Sequence, residues 1–405
     1  MFVITFFPLF LSVILLQLSS GGIGPLDALS GAELGFTTQQ IGLLGSSHFI
    51  GFFIGCWYSP RLIGIIGHSR AFAVFAAAGT IGILAHMIYT NPYAWSVMRI
   101  LSGMCIAGCF TVIEAWLQAK TTNATRGRNI GMYRLFDMVG GIFGQLLIAV
   151  LSPASYISYN ILAIICCASL LPLALTRIKQ PDTAVGLKLK PMLAFRISPM
   201  ATTGVVAAGL TTASFRMIGP VYGQEIGLAA NQIGFFLAIF LLGGALAQYP
   251  AGWLADRFDR RKVMLIFSAI AVLACGATVA ASTSTPAAVF AASMFFGFAT
   301  FPIYSIAAAH ANDFVDAEHM AELSSSLIFF YAVGAIVSPY LASTVITLFG
   351  PPAMFALIAA VHVALAATGL FRMTIRPAKS QTAFTTIPRT TFVIGRLFKH
   401  RSIKK

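Results

Sequence analysis

Roughly twelve apolar runs follow one another along this chain, each close to the length of about 20 residues that a helix needs to cross a bilayer. They leave little room for anything else, because 58% of the 405 residues are hydrophobic and only 9% are charged. This composition excludes a soluble globular domain and predicts an all-α membrane protein with twelve transmembrane helices. The predicted spans are residues 4–29, 38–62, 71–89, 94–119, 129–151, 157–176, 197–223, 232–254, 263–281, 287–311, 321–347 and 353–371.

The first run is interpreted as a membrane helix rather than a signal peptide, since no Lys or Arg precedes it and a second span follows closely. The cysteines all fall inside apolar runs, without metal-site spacing or polar neighbours, which favours a packing role. No metal and no cofactor is predicted. The six cysteines are Cys56, Cys105, Cys109, Cys166, Cys167 and Cys275.

The net charge of +14 is distributed by topology. Every second connection between spans lacks Lys and Arg, the others are basic, and of the 26 basic residues only Arg99, Arg134 and Arg216 lie within predicted spans. The positive-inside rule then predicts an integral protein of a bacterial cytoplasmic (inner) membrane with both termini in the cytoplasm. The basic loops are expected to contact anionic headgroups, and no nucleic-acid partner is expected. The neutral connections lie near residues 31–37, 90–93, 152–156, 225–230, 282–286 and 348–352.

Three segments of the first half recur in the second half at almost constant spacing. Ile23-Gly24-Pro25 recurs 195 residues later, the segment beginning at Ile41 recurs 192 residues later, and the segment around Val139 recurs 194 residues later. Repeats of this kind indicate two six-helix bundles. The predicted organisation is an N-terminal bundle at 1–176, a cytoplasmic linker at 177–196, a C-terminal bundle at 197–371 and a basic tail at 372–405.

The repeated Gly-Pro pairs are candidate hinges. Proline removes a backbone donor and glycine permits a bend, so a helix can flex or end at Gly24-Pro25 and at Gly219-Pro220. Interrupted helices at matching positions are typical of substrate paths in repeat-built transporters. Simple termination of each helix by proline is the alternative.

The segment AGWLADRFDRRKVM, after the eighth span, resembles the G-x-x-x-D-R-x-G-R-R loop of the major facilitator superfamily. Gly252, Asp256, Arg257, Arg260 and Arg261 match that pattern, while Asp259 replaces its second glycine. The resemblance implies that Asp256 latches the two halves together against the start of the fifth span. The alternative is a basic loop that only sets topology.

Two further features bear on this resemblance, one as a departure from the pattern and one as a match. The corresponding loop after the second span is degenerate, with Pro60 in place of the first glycine and Gly64 in place of the acid, so a symmetric latch is not expected. Arg99 and Gly103 fit the superfamily's R-x-x-x-G pattern in the fourth span, and the chain is also similar to the bacterial YcaD-like branch. The resemblance implies the two-bundle transporter fold without specifying a substrate.

Ionisable groups inside a bilayer cost about 2.5 to 3.5 kcal/mol each on insertion scales, so each needs a reason. Arg216 is predicted to face a central cavity and to bind an anionic group bidentately. Snorkelling to the headgroups, or pairing with Asp27 or Glu225, is the alternative. The other substrate-site candidates are Arg99, His48, Gln145 and Gln248.

A second group of ionisable residues, Glu114, Arg134 and Asp137, lies toward the predicted cytoplasmic side. Arg134 and Asp137 are three residues apart and share a helix face. The group is either a proton relay, with Glu114 as its titrating member, or a neutralised structural cluster. His86 and His362 lie on the third and twelfth spans, peripheral in this fold, and are assigned no function.

The leading hypothesis is a monomeric secondary transporter that moves a small organic solute by alternating access, coupled to protons. No P-loop is present, so a gradient must supply the energy. A promiscuous efflux pump for amphipathic drugs and a transport-inactive receptor or scaffold are the alternatives. An enzyme is not expected, because the sequence has no HExxH or GxSxG motif and no cluster of His or Cys ligands.

Overall fold

The computed structural model describes residues 2–119, 126–175, 190, 192–315 and 319–375. Within these residues all regular structure is helical. The helices are α1 (Phe2–Glu33), α2 (Thr38–Ile66), α3 (His68–Ala85), α4 (Pro92–Ala119), α5 (Arg126–Leu147), α6 (Tyr156–Ala168), α7 (Leu170–Ala174), α8 (Met192–Ile197), α9 (Pro199–Glu225), α10 (Ala230–Arg257), α11 (Arg260–Ala281), α12 (Pro286–Thr300), α13 (Ile303–Asn312), α14 (Met320–Phe349) and α15 (Ala353–Ile375).

Each predicted span corresponds to a helix or to an interrupted helix. The sixth span is α6 with α7, the tenth is α12 with α13, and α8 is an additional short helix before the seventh span, α9. Ten of the twelve spans are long and apolar enough to cross a membrane. The other two, α5 and α9, have 22 and 27 residues and are long enough, but they carry more polar side chains. Most of the predicted linker and tail lies outside the described residues.

The two halves repeat the same helix contacts. In the first half α1 packs on α5 and α2 packs on α4, and in the second half α9 packs on α14 and α10 packs on α12. Glycines at equivalent positions permit these close approaches. Gly51 of α2 lies against the Ile100 carbonyl, as Gly243 of α10 lies against the Met294 carbonyl. Equivalent packing contacts are therefore separated by 192 to 194 residues, close to the spacing of the sequence repeat.

The second pair of crossings shows the same correspondence. Gly140 of α5 lies against the carbonyl of Ile14, and Gly334 of α14 lies against the carbonyl of Val206. A side chain in place of either glycine would meet backbone of the neighbouring helix, which cannot move aside as a side chain can. Such positions fix helices within a half more firmly than ordinary side-chain packing does.

We call the end of the bundle that carries connections 34–37, 86–91, 148–155, 226–229, 282–285 and 350–352 the neutral-loop side, and the opposite end the basic-loop side. The halves meet chiefly through α2 with α14, α5 with α10 and α1 with α9, and α2 also contacts α9. On α2, Gly42 lies against Ser343 and Gly45 lies against Pro339. On α10, Gly234 lies against the backbone of α5. Each of these contacts lies near the end of its helix that faces the neutral-loop side.

The alternative that proline ends the first and seventh spans, α1 and α9, is wrong, and the hinge role of the Gly-Pro pairs stays a prediction. Pro25 and Pro220 both lie inside their helices, which continue to Glu33 and Glu225. Membrane helices tolerate internal proline because neighbouring groups compensate for the lost backbone hydrogen bond. Gly24 and Gly219 are both buried at these positions.

The repeat carries arginine only in its second copy for a steric reason. Gly21, which precedes Arg216 by 195 residues, packs against α5, where a Cβ would lie 3.3 Å from the carbonyl oxygen of Gly141. Nothing as long as arginine fits into that contact. At the equivalent place on α9, Arg216 is only partly buried.

Candidate functional site

The most buried charged cluster lies inside the first half, toward the neutral-loop side. Nε of Arg99 lies 3.4 Å and Nε2 of His86 lies 3.5 Å from the same carboxylate oxygen of Asp27. The Tyr159 hydroxyl donates a hydrogen bond of 2.9 Å to the other oxygen. All four side chains are at most 2% exposed. Helices α1, α4 and α6 and the end of α3 thus place one carboxylate between an arginine, an imidazole and a phenol.

The cluster is not fully hydrogen-bonded. Oδ2 of Asp27, Nε2 of His86, and Nε and Nη1 of Arg99 are buried without a hydrogen-bond partner. Arg99 and Asp27 are therefore close enough for ionic attraction but are not aligned as a bidentate pair. Incomplete satisfaction of a buried charged network is costly and is characteristic of sites that bind or switch.

Met217 of the second half lies over this cluster. Met217 of α9 lies against Gly24 of α1 and Gly45 of α2, and Nη2 of Arg99 is 3.7 Å from its sulfur. The two glycines leave the space that the thioether occupies. The buried arginine of one half therefore touches the other half directly, at the place where the halves are packed.

Arg216 precedes Met217 and lies at the same inter-half boundary. His48 of α2 is 7% exposed, and the charges of Arg99 and Arg216 both act on it. That Arg216 faces a central cavity remains a prediction. Of the two carboxylates suggested as partners of Arg216, Asp27 pairs with Arg99, and Glu225 is exposed at the end of α9.

The two candidate glutamines differ in environment. Gln145 is buried and donates a hydrogen bond of 2.9 Å to the carbonyl of Gly21, so it joins α5 to α1 within the first half. Its Oε1 is buried without a partner. Gln248 is partly buried on α10. The structure thus gives Gln145 a packing contact in addition to its predicted role at the site.

Glu114 and Asp137 form a separate acidic group nearer the basic-loop side. The Tyr133 hydroxyl donates a 2.8 Å hydrogen bond to Glu114, which is 2% exposed. Arg134 lies 3.3 Å from Asp137 on one face of α5, as their spacing indicates, and Gln17 of α1 also donates to Asp137. No described contact joins this group to the cluster around Asp27.

The loop motif forms a network within the second half. Arg260 is 1% exposed and pairs with Asp313, lies 3.6 Å from Asp256, and donates to the carbonyl of Ala309. Asp256 is 46% exposed. The predicted latch across to α5 remains a prediction, because the side chains at the start of α5 lie outside the described residues.

The remaining motif residues have local contacts. Arg257 stacks 4.3 Å from the ring of Trp253 on the same helix, and Gly252 is buried. Arg261 forms a bidentate pair with Asp259 at 2.7 to 3.1 Å. Burial alone would raise the pKa of Asp259, but the hydrogen bonds from Arg261 outweigh it and hold that pKa below its ordinary value. Neither contact crosses between the halves.

His86 and His362, which lie at the end of α3 and on α15, both have buried side chains although their spans were expected at the periphery. Both are 0% exposed, and His362 lies 3.2 Å from the hydroxyl of Thr211. His86, Asp27 and Tyr159 were not among the predicted site residues. The sequence contained a signal for this charged cluster, since Asp27, His86 and Arg99 all lie near the neutral-loop ends of predicted spans in one half. Within the described part of the chain, no group of three His, Cys, Asp or Glu residues is arranged to hold a metal ion.

The model of the Major Facilitator Superfamily matches this sequence twice, over residues 9–222 and 201–403. The chain belongs to that superfamily. It is an integral membrane protein, a transporter of the all-α superfamily fold, as the loop motif and the repeat predicted. The two matches together cover both halves of the chain.

Curated relatives include proteins named uncharacterized MFS-type transporter YcaD. Those of Salmonella heidelberg (strain SL476) and Salmonella newport (strain SL254) are each 28% identical over 354 residues, which are 86% of this chain and 91% of the relative. The similarity to the YcaD-like branch is thereby confirmed.

Solved structures share the fold at low identity. The nucleoside transporter NupG has a TM-score of 0.74 and 15% identity, covering 91% of this chain and 99% of its own. A D-xylose-proton symporter has a TM-score of 0.70 and 12% identity, covering 95% and 99%. A bacterial homolog of the human lysosomal transporter Spinster has a TM-score of 0.71 and 16% identity, covering 97% of each chain. These likenesses establish the architecture alone.

Proposed function

We propose that this protein is a secondary active transporter that moves a small organic solute by alternating access and is coupled to protons. The observation that carries the proposal is the incompletely hydrogen-bonded pair of Asp27 and Arg99, which Met217 of the other half covers. A buried ionisable group at a membrane-embedded interface is by default a functional site. The nucleoside transporter and the D-xylose-proton symporter of the same fold move small organic solutes, which supports the class of cargo.

Alternating access requires the halves to separate on one side while they close on the other. The halves are packed through Gly42, Gly45 and Gly234 on the neutral-loop side. With the basic loops in the cytoplasm, this packing closes the outer side. Tight helix crossings within each half, such as Gly51 against Ile100, favour motion of each half as a unit.

The orientation can be tested by labelling intact cells. We expect a cysteine at Ser284, in the exposed neutral connection 282–285, to react with a membrane-impermeant maleimide, whereas a cysteine at the exposed Lys262 reacts only after the membrane is opened. A variant without the six native cysteines is the background for both. If only Lys262→Cys were labelled in intact cells, the topology would be the reverse of the proposed one.

Asp27 joins the predicted proton-coupling residues as a proposed titrating group. Protonation of Asp27 would remove the counter-charge of Arg99 and free the guanidinium for an anionic solute, which couples the two events at one place. Glu114, with Asp137 and Arg134, remains a second proposed proton site. The group around Asp27 and the group around Glu114 lie at different depths in the bundle. Substitutions in one group are therefore expected to leave the hydrogen bonds of the other intact.

An anionic solute suits the charge of the inter-half region. Arg99, Arg216 and His48 converge there, with Asp27 as the one carboxylate within pairing distance of Arg99 among the described residues. Arginine can bind a carboxylate, sulfonate or phosphate through two hydrogen bonds. Gln145 and Gln248 are proposed as additional hydrogen-bonding groups.

We expect Arg216→Gln to abolish flux of organic anions while sparing efflux of lipophilic cations. The substitution removes one charge-assisted contact, which corresponds to a loss of about 1.5 to 3 kcal/mol, or about ten- to a hundred-fold in affinity. Counterflow of a radiolabelled anion in proteoliposomes measures this. Arg70→Gln, which removes an exposed arginine from the basic-loop side, is the matched control. Unchanged anion transport in Arg216→Gln would remove the anion hypothesis.

Uptake into proteoliposomes under an imposed pH gradient, across a broad panel of solutes, tests the function itself. The proposal expects at least one solute whose flux follows the gradient and stops with a protonophore. Flux of amphipathic cations instead would favour the efflux pump, which the contact of Phe53 with Phe329 between the halves would suit. An absence of gradient-dependent flux throughout would favour a receptor or scaffold.

A further inference from the structure

His86, at the end of α3, is held so that one particular ring nitrogen faces Asp27. Nδ1 lies 2.7 Å from the carbonyl oxygen of Gly82, one turn earlier in the chain. The ring stacks on Tyr159, with 5.5 Å between centroids, and makes a T-shaped contact of 5.1 Å with Trp95. These contacts fix the plane of the imidazole and leave Nε2 toward the carboxylate.

The contact with Gly82 assigns the tautomer of His86. A carbonyl oxygen can only accept a hydrogen bond, so the proton of the neutral imidazole lies on Nδ1. Nε2 then presents a lone pair to Oδ2 of Asp27, which is 3.5 Å away. Both atoms are buried without a hydrogen-bond partner. Two acceptors therefore face each other with no donor between them.

A single added proton would satisfy both of these atoms. On either atom it makes one hydrogen bond between the imidazole and the carboxylate, where buried acceptors would otherwise stay unpaired at a cost. The titration of two groups in such close contact belongs to the pair and not to either residue. The geometry thus describes one site for one proton.

The charged and titratable neighbours of this pair come from α4, α6, α2 and α9. Arg99 of α4 lies 3.4 Å from the same carboxylate oxygen, and Tyr159 of α6 donates to the other one. From the second half, α9 contributes Met217, which does not titrate, and Arg216, whose charge acts with that of Arg99 on His48 of α2. Without the proton the charges of the arginine and the carboxylate cancel, and with it the cluster carries one net positive charge.

The second half shows that the fold does not need ionisable groups at this place. By the spacing of the repeat, Tyr222 corresponds to Asp27, 195 residues earlier, and Phe355 corresponds to Tyr159, 196 residues earlier. The two rings of the second half are buried and make a T-shaped contact at 4.8 Å. An aromatic pair fills the equivalent space, so the acid and the histidine of the first half need a reason other than packing.

We propose that Nε2 of His86 and Oδ2 of Asp27 hold one exchangeable proton between them, which makes His86 the second proton-binding residue of the site. The proton comes from the aqueous medium when the cluster is open to it, adds to a lone pair and breaks no other bond in the protein. The loaded cluster then has a net positive charge that an anionic group of the solute would neutralise. This inference deepens the proposed function and rests on it for the consequence in transport, whereas proton binding is measured without any solute.

Proton uptake by the purified full-length protein in weakly buffered detergent solution, between about pH 8 and pH 5, tests the proposal. His86→Asn keeps an amide donor for the carbonyl of Gly82 and removes Nε2. We expect this variant and Asp27→Asn each to take up one proton fewer per molecule than the parent. In each case the remaining partner lies near Arg99, which keeps a paired carboxylate ionised and an unpaired imidazole neutral.

The double variant distinguishes a shared proton from two separate ones. We expect Asp27→Asn combined with His86→Asn to lose the same single proton as either substitution alone. His362→Gln is the matched control, because His362 is equally buried but lies 3.2 Å from the hydroxyl of Thr211 rather than beside a carboxylate. Its proton uptake is expected to equal that of the parent.

Nitrogen-15 NMR of histidine-labelled parent protein gives the same answer without relying on a variant of His86. The signal of His86 is assigned by its shift in Tyr159→Phe, which changes the ring that stacks on the imidazole. We expect Nδ1 to stay protonated and Nε2 to gain one proton as the pH falls. Parent-like uptake in His86→Asn, a loss of two protons in the double variant, or an Nε2 whose protonation does not change would overturn the proposal. If the proton is found but no solute flux follows a pH gradient, this inference stands and the proposed function fails.

Discussion

Asp27→Asn is expected to lower the free energy of unfolding by about 3 to 5 kcal/mol and to abolish gradient-driven flux. The physical reason is that Arg99 stays charged at 1% exposure after its counter-charge is removed, and an uncompensated buried charge costs about that much. The loss of flux follows separately, because the proposal assigns proton coupling to this carboxylate. Thermal unfolding of the purified variant, together with uptake under a pH gradient, measures both effects.

A second substitution separates these two effects. Asp27→Asn combined with Arg99→Gln leaves no unpaired charge, so we expect it to regain most of the lost stability while flux remains absent. Tyr159→Phe is the matched control, because it removes the 2.9 Å hydrogen bond to Asp27 but no charge. A parent-like unfolding temperature for Asp27→Asn would show that the carboxylate does not balance Arg99.

Gly45→Leu is expected to open the neutral-loop side and to lower flux about ten-fold or more. A Cβ at this position would lie 2.7 Å from Pro339 and 2.8 Å from Met217, both on the other half. Overpacking costs about 1 to 3 kcal/mol, which shifts the equilibrium away from the packed state by about 5- to 150-fold. Reactivity of a cysteine at Met217 toward a polar maleimide measures the opening.

Gly51→Leu is the control for this prediction. A Cβ at Gly51 would come closer still to its neighbour, the backbone carbonyl of Ile100, and that contact is within one half and does not need to open during transport. We therefore expect Gly51→Leu to unfold or fail to accumulate, whereas Gly45→Leu stays folded. If both variants behave alike, the halves do not move as units.

The sequence was sufficient to predict the helices and their duplication because both depend on local composition and on spacing. Apolar runs of membrane length set the spans, and the recurrence of Gly24-Pro25 at Gly219-Pro220 revealed the repeat. The two copies of this segment also differ, with Gly21 in the first and Arg216 in the second. Gly21 packs closely on α5 while Arg216 is partly buried on α9, and only the packing of neighbours distinguishes the two positions.

The charged cluster could be predicted only in part, because its members are far apart in the sequence. Arg99 was recognised from its position in the fourth span, but its partners Asp27 and His86 are 72 and 13 residues away and lie on other helices. Which helices adjoin is a property of the tertiary fold. The same reason placed His86 on the periphery by its helix alone, although the helix end turns it inward against Asp27.

Double electron–electron resonance between spin labels on the two halves tests the central claim most directly. One pair, Leu34→Cys with Leu348→Cys, spans the neutral-loop side, and another, Ile65→Cys with Phe258→Cys, spans the basic-loop side, all at exposed positions. When Gly45→Leu is added, the account predicts a longer distance for the first pair and a shorter one for the second. Two distances that stay unchanged, or that lengthen together, would contradict it.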